Sequence, residues 1–404
     1  MTDRTAVSPA PDAGSARTLR EQADEDDEDD AKPHHEYGVS PGWRMPSATT
    51  APAVPRPRLG PAAPAVAAEI RTEFGHGWSR YKSSAWGHDE VIPALGEYRE
   101  VFAAEHPVGL TIIESLDALY LLELDRDLAE AVDWISHDLD LDADAEFDVA
   151  TAVTRLVGGL LAGYLATHRR VVLDRCRELA DRLLPAFTAS PTGAPYRRVN
   201  LRTGAVSGPV NPLAGIGTNI LEFGVLTQLT GDPGYYRAAK RTYRAAMQRR
   251  CPLAGHGAAL NVETGEWAES ADPIPPGDSF YEYLWGAWAM FGDRDTLRWY
   301  RMCLGGGAEL AYGSWAEIGQ PAPAGRIQEA FTRYLRTGGE AHRMAAYQRL
   351  QELKASGVLL AGPWSATTLK FLYLLFARSP RFDYRRHHIS AGGKVLRGLL
   401  PARR

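Results

Sequence analysis

The chain has 404 residues, 45% of them apolar and 24% charged, enough to bury a large core. Acidic residues (50) outnumber basic ones (45) for a net charge of −5, so the basic footprint of a nucleic-acid-binding protein is missing and no nucleic-acid partner is expected. Cys176, Cys251 and Cys303 stand far apart without CxxC spacing, which argues against a disulfide framework or a zinc site. The N-terminus has no apolar signal core, and no run approaches the roughly 18 apolar residues needed to cross a bilayer, so the expectation is a cytoplasmic protein with no membrane span.

Residues 1–65, with "ADEDDEDDAKPHHE" and "APAVPRPRLGPAAPAV", are too polar and Pro-rich to offset their ordering entropy and read as a disordered acidic tail. From Val66 to residue 404 the pattern is helical. Polar turns recur at "LELDRDLAEA", "LATHRRVVLD", "LTGDPGYYRAA", "FGDRDTLRWY", "LRTGGEAHRMAA" and "FARSPRFDY", each between an apolar and an amphipathic helix. With a first hairpin before Gly109 they make seven helix pairs, spaced by about 40 to 60 residues as in helical-hairpin repeats. An all-α toroid follows, an (α/α)7 barrel with the apolar helices inside. Two alternating stretches, Tyr196 to Gly204 and Ala258 to Trp267, predict small β-hairpins on one rim.

Polar residues within the apolar helices are then the candidates for chemistry, because charge facing the centre of a barrel is costly unless paired or used. "WGHDE" supplies His88, Asp89 and Glu90, and "TIIESLDALYLL" supplies Glu114 and Asp117. "FDVATAVTRLVGGLLAGYLAT" opens with Asp148, Thr151 and Arg155 on roughly one helical face. Glu222 lies in "NILEFGVL", and Asp278 and Glu282 fall one turn apart in "GDSFYEYLWGAW", followed by Trp285 and Trp288. The basic end, "RRHH" to "PARR", reads as solvated.

These residues resemble the class I α-mannosidases, glycoside hydrolase family 47. "WSRYKSSAWGHDEVIPALG" looks like that family's opening element, and "GLTIIESLDALYLLEL" looks like its "TIVDSLDTLYIMGL". "LLPAFTASPTGAPYRRVNLRTG", "ILEFGVLTQLTGDPGYY", "GDSFYEYL" and "ATTLKFLYLLF" follow in the family's order, from Trp78 to Phe376. The resemblance implies the (α/α)7 barrel, inverting hydrolysis of α-1,2-mannosides and a calcium ion at the barrel floor. It implies catalytic roles for Asp278, Glu282 and Glu222, and substrate contacts for Arg155, His88, Asp89, Glu114, Asp117 and Thr151.

The departures from the family pattern fall on its chemistry. "DADAEFDVATAVTRLVGGLLAGY" aligns without a gap to "DxDAEVxVFExxIRxLGGLLSAY", and Thr151 stands where the family has its acid-side glutamate. Gly325 or Arg326 stands at the base, Thr367 replaces another acid, and Ile389 or Ser390 stands at the calcium-binding threonine. Thr367 and Ser390 are then remnants of a metal site, and a resident calcium is not supported; the cofactor is unknown. A hydroxyl is far too weak an acid to donate a proton as a carboxyl does near neutral pH. The expected protein is a diverged mannosidase-like barrel with an oligosaccharide or small-molecule ligand and weak or altered hydrolysis. The alternatives are a non-catalytic sugar-binding barrel and a barrel repurposed for a small apolar metabolite that reacts through a cation.

Overall fold

The computed structural model describes residues 62–92, 95–249, 257–268, 279–304, 327, 330–331, 333–335, 337–355, 363–378 and 380–402. The predicted tail, residues 1–65, therefore lies outside the described residues except for its last four. Helix α1 (Ala63–Ser84) begins inside that predicted tail, because Pro64 in its first turn presets the helical φ and has no N–H to leave unsatisfied.

Inner and outer helices differ in how they are buried. Helix α2 (Leu110–Leu121) buries all 12 of its residues, Glu114 and Asp117 included. Helix α3 (Asp125–His137) buries only the stripe Leu128, Ala131, Val132, Trp134 and Ile135 and turns its acids outward. The same alternation pairs α4 (Val149–Thr167) with α5 (Arg170–Leu183), after which comes the short α6 (Pro185–Thr188). After α7 (Leu213–Gly217), it pairs α8 (Ile220–Thr230) with α9 (Gly234–Gln248) and α10 (Ser279–Phe291) with α11 (Arg294–Leu304). The last helices are α12 (Glu340–Ala355) and α13 (Pro363–Phe376). The apolar members are neighbours: α13 packs on α2, α2 on α4, α4 on α8 and α8 on α10, with α3, α5, α9 and α11 behind them. This is the inner ring of the expected (α/α)7 barrel.

Close approach inside the ring depends on small residues. A Cβ on Gly159 would sit 2.7 Å from Ile113 Cγ2, and one on Gly163 would sit 2.3 Å from Leu116 Cδ1, so α4 rests directly against α2. Helix α4 also corrects the expectation about membrane-length runs. By length and composition it is apolar enough to cross a bilayer, with a mean hydropathy of 1.5, but 72% of that window is buried within the barrel.

Short antiparallel strands stand at the starts of inner helices. β1 (Glu90–Ile92) pairs with β2 (Glu97–Arg99) ahead of α2. β3 (Glu146–Asp148) runs straight into α4 and pairs with β4 (Arg198–Asn200), which pairs in turn with β5 (Val206–Ser207). β6 (Val210–Pro212) leads into α7 and pairs with β7 (Ala259–Asn261). The two predicted stretches do form strands, but β4 and β7 join partners from elsewhere in the chain rather than closing only on themselves.

The chain end differs most from the sequence reading. β8 (His388–Ile389) and β9 (Val395–Arg397) form a hairpin that packs on α4, with His388, Ser390, Lys394, Val395 and Leu396 buried. The Tyr120 hydroxyl donates to the Leu400 carbonyl at 2.6 Å and ties this end to α2. Arg385, Arg386, Pro401 and Ala402 are exposed in the described part of this segment, but His388 and Lys394 are buried, so the described part is packed on the barrel rather than solvated; Arg403 and Arg404 lie outside the described residues.

Candidate active site in the barrel interior

The N-terminus of α4 explains its polar opening. Asp148 ends β3 in an extended conformation and caps the helix: its Oδ1 accepts the Thr151 N–H at 3.0 Å and the Thr151 hydroxyl at 2.8 Å. Arg197, on the loop that leads into β4, donates to the other Asp148 oxygen at 3.3 Å. Residues Ala152–Val157 then wind as a π-helix, so the face read on a regular period does not continue through Arg155. Arg155 grips Glu114 with two bonds, Nε to Oε1 at 3.1 Å and Nη2 to Oε2 at 2.7 Å, and its Nη2 also lies 3.4 Å from Glu90 Oε1. Arg99 of β2 holds the other oxygen of Glu90 at 2.7 Å. The result is a partly open polar strip of Arg197, Asp148, Thr151, Arg155 and Glu90.

Beneath that strip the charges are sealed. Lys370 of α13 and Lys394 of the C-terminal hairpin are both 0% exposed. Lys394 Nζ lies 3.1 Å from Glu114 Oε1 and donates to the Glu114 carbonyl at 3.3 Å. Lys370 Nζ donates to both oxygens of Asp117 at 2.7 Å, and the Val395 N–H adds a third bond to that carboxylate at 3.0 Å. Burial raises the Glu114 pKa, but the charges of Lys394 and Arg155 overcome it and hold the carboxyl at about 2. Burial pulls Lys370 down to about 8 against the attraction of Asp117.

Glu222 has the opposite environment. It is fully buried on α8, and its Oε1 accepts the Tyr283 hydroxyl at 3.0 Å; that hydroxyl in turn accepts the Ala391 N–H at 3.1 Å. Its Oε2 makes no close hydrogen bond among the described residues. Desolvation pushes its pKa up to about 8, only partly offset by hydrogen bonds from its own backbone, Tyr283 and Ser390, so the acid is protonated near neutral pH. The two clusters meet at Gly158, where an added Cβ would lie 3.3 Å from Lys394 Cγ and 3.5 Å from Glu222 Cγ.

Among sequence relatives, the profile of the family described as Glycosyl hydrolase family 47 matches residues 73–311. The chain belongs to glycosyl hydrolase family 47. Mannosyl-oligosaccharide 1,2-alpha-mannosidase MNS1 of Arabidopsis thaliana is 34% identical over 241 residues, 58% of this chain and 42% of the relative. The Homo sapiens mannosyl-oligosaccharide 1,2-alpha-mannosidase IB is 34% identical over 236 residues, 56% of this chain and 36% of the relative. The chain thus spans less than half the length of the curated relatives it matches. The alpha-1,2-mannosidase from Trichoderma reesei superposes with a TM-score of 0.66 at 18% identity, over 82% of this chain and 98% of that one, which shows the (α/α)7 fold.

The family-47 scaffold brings together Glu114, Asp117, Arg155, Thr151 and Glu222, but gives other candidates different work. Asp89 is 0% exposed and accepts the N–H groups of Val101, Val108 and Leu110, so its carboxylate organises the loop before α2. His88 pairs with Glu100 at 2.5 Å and stacks on Tyr98 with ring centroids 3.4 Å apart. Glu282 is half-buried on α10, beside Tyr283, whose hydroxyl pKa is raised chiefly by burial and then by Glu222, with a smaller push from Glu282. Phe280 and Tyr281 are core residues, with Phe280 packed on Tyr243. Trp288 lines an open cavity of about 520 Å³ with Arg294, Leu297, Arg298, Arg301 and Met302, none of them a candidate for the chemistry. Asp278, Gly325 and Arg326 lie outside the described residues.

Three participants were not selected from sequence. Lys370 and Tyr283 sit in apolar helices where a lone polar residue was a readable signal. Lys394 had none, because its segment was taken as solvated.

The resemblance to family 47 implies a calcium ion, and the residues do not fit one. The Ser390 carbonyl already accepts the Gly393 N–H at 2.8 Å, and its Oγ accepts the Lys394 N–H at 3.4 Å. Thr367 turns its methyl towards Gly393, where an added Cβ would be 3.3 Å away. Among the described residues no group of three or more His, Cys, Asp or Glu side chains is placed to hold a metal.

Proposed function

We propose that this family-47 barrel recognises a mannose-like sugar and hydrolyses α-mannosides at least about 10²-fold more slowly than a relative with both catalytic carboxyl groups. The observation that carries the reading is Thr151: at the position resembling the family's acid, a hydroxyl spends its proton on Asp148 at 2.8 Å. Asp148 does not replace the lost donor, since it accepts from Thr151 twice and from Arg197. Inversion needs one group to protonate the leaving oxygen and another to activate water across the ring. Arg155 and Glu90 at the open end of α4 offer the charged, hydrogen-bonding groups that sugar hydroxyls require.

The test combines calorimetric titration with α-1,2-mannobiose and release from an aryl α-mannoside, for wild type and Asp278→Asn. Saturable binding with slow release, abolished by Asp278→Asn, supports the proposal. Absence of any sugar binding refutes it. Glu222 favours one second reading, the repurposed barrel: a buried acid with a pKa of about 8 is protonated at neutral pH and suited to protonating an apolar substrate.

A further inference from the structure

We infer that the ammonium group of Lys394 serves as the resident cation of the barrel floor, so that the protein folds and persists without calcium. Three cations, Arg155, Lys370 and Lys394, face three carboxylates, Glu90, Glu114 and Asp117. Glu114 is paired by Arg155 and Lys394, and Asp117 is chelated by Lys370 with a third bond from the Val395 N–H. Glu90 shares Arg155 and has Arg99 besides. Among the described residues no cation pairs with Glu222, the remaining acid beside Lys394, and it stays neutral in its apolar setting.

A calcium ion needs six to eight oxygens, several of them charged. Here Glu114 and Asp117 each already face an ammonium, and a dication beside them would meet two fixed positive charges in a low-dielectric interior. The hairpin makes the arrangement permanent. Lys394 is delivered by the tight turn from Ser390 to Gly393, which is closed by the Ser390 N–H to the Lys394 carbonyl at 2.9 Å and the Gly393 N–H to the Ser390 carbonyl at 2.8 Å. Gly392 is required there, since a Cβ would fall 2.6 Å from the Thr154 carbonyl oxygen. The lysine therefore joins the chain end to α2 through Glu114, a contact spanning 280 positions.

The experiment measures metal content and thermal stability of the full chain, as purified and after dialysis against EDTA, with and without millimolar calcium. The inference requires far less than one calcium per chain and an unchanged Tm in all conditions. About one calcium per chain, lost to EDTA with a fall in Tm, overturns it. Lys394→Met supplies the second arm: its Tm falls by about 5 °C or more, because Glu114 loses a buried partner, and calcium does not restore it. An unchanged Tm in Lys394→Met, or its rescue by calcium, also counts against the inference. Should Lys394→Met fail to fold, the metal content and EDTA response of the wild type decide alone.

Discussion

Replacing Glu222 with glutamine tests whether the barrel holds a neutral carboxylic acid. The glutamine keeps an oxygen for the Tyr283 hydroxyl, 3.0 Å away in the wild type, and puts an amide where the proton was. The folded pKa is about 8 against 4.5 for the free group, so between those values the unfolded chain gives up a proton that the folded chain retains. The Glu222 contribution to wild-type stability must therefore fall as pH rises from about 4.5 to 8 and level off above that. At about 1.4 kcal/mol per unit, the ceiling on the loss is about 5 kcal/mol, with a few kcal/mol the working expectation. Urea denaturation of both proteins at half-unit intervals from pH 5 to 8.5 isolates the effect. His387 is held down to about 4 and His388 well below the ordinary histidine value, both by burial, and their contribution rises with pH through the histidine range. It cancels when wild type and Glu222→Gln are compared at one pH. The variant should gain on the wild type steadily as pH increases; parallel curves would refute the neutral-acid assignment.

Other perturbations have equally definite outcomes. Arg155→Met leaves Glu114 with Lys394 alone and should cost about 3–5 kcal/mol by chemical denaturation, whereas an exposed pair such as Arg170 with Asp174 should cost under about 1 kcal/mol when broken. Gly163→Ala drives a methyl to 2.3 Å from Leu116 and should lower stability by about 1–3 kcal/mol, read as a fall in Tm without change in far-UV circular dichroism. Glu114, held at about 2, contributes stability that is complete above 4.5 and lost as pH falls towards 2; Glu114→Gln should flatten the acid limb of the wild-type curve.

The ring of helices was legible because its cause is local. An inner helix such as Leu110–Leu121 is buried on every side and reads as apolar throughout, while its partner Asp125–His137 shows a single buried stripe. The acids Glu114, Asp117 and Glu222 stood out for the same reason, as costly groups in apolar surroundings. The pairing of these acids with their partners was not legible, since Lys370 lies 253 positions from Asp117 and Lys394 lies 280 from Glu114, distances that no helical period connects. Asp89 shows the converse limit: its sequence context cannot distinguish a carboxylate for a ligand from one that accepts three backbone N–H groups. The wound π-turn at Ala152–Val157 also hid Arg155's true direction, because a regular period was assumed through it.

The decisive measurement is the turnover number of the purified full chain on α-1,2-mannobiose at neutral pH. With a threonine hydroxyl where the proton donor belongs, release should be absent or below about 10⁻² s⁻¹ even though the disaccharide binds. A rate in the ordinary range for hydrolases, about 1–10³ s⁻¹, would contradict the assignment of Thr151 and restore a working acid to this barrel.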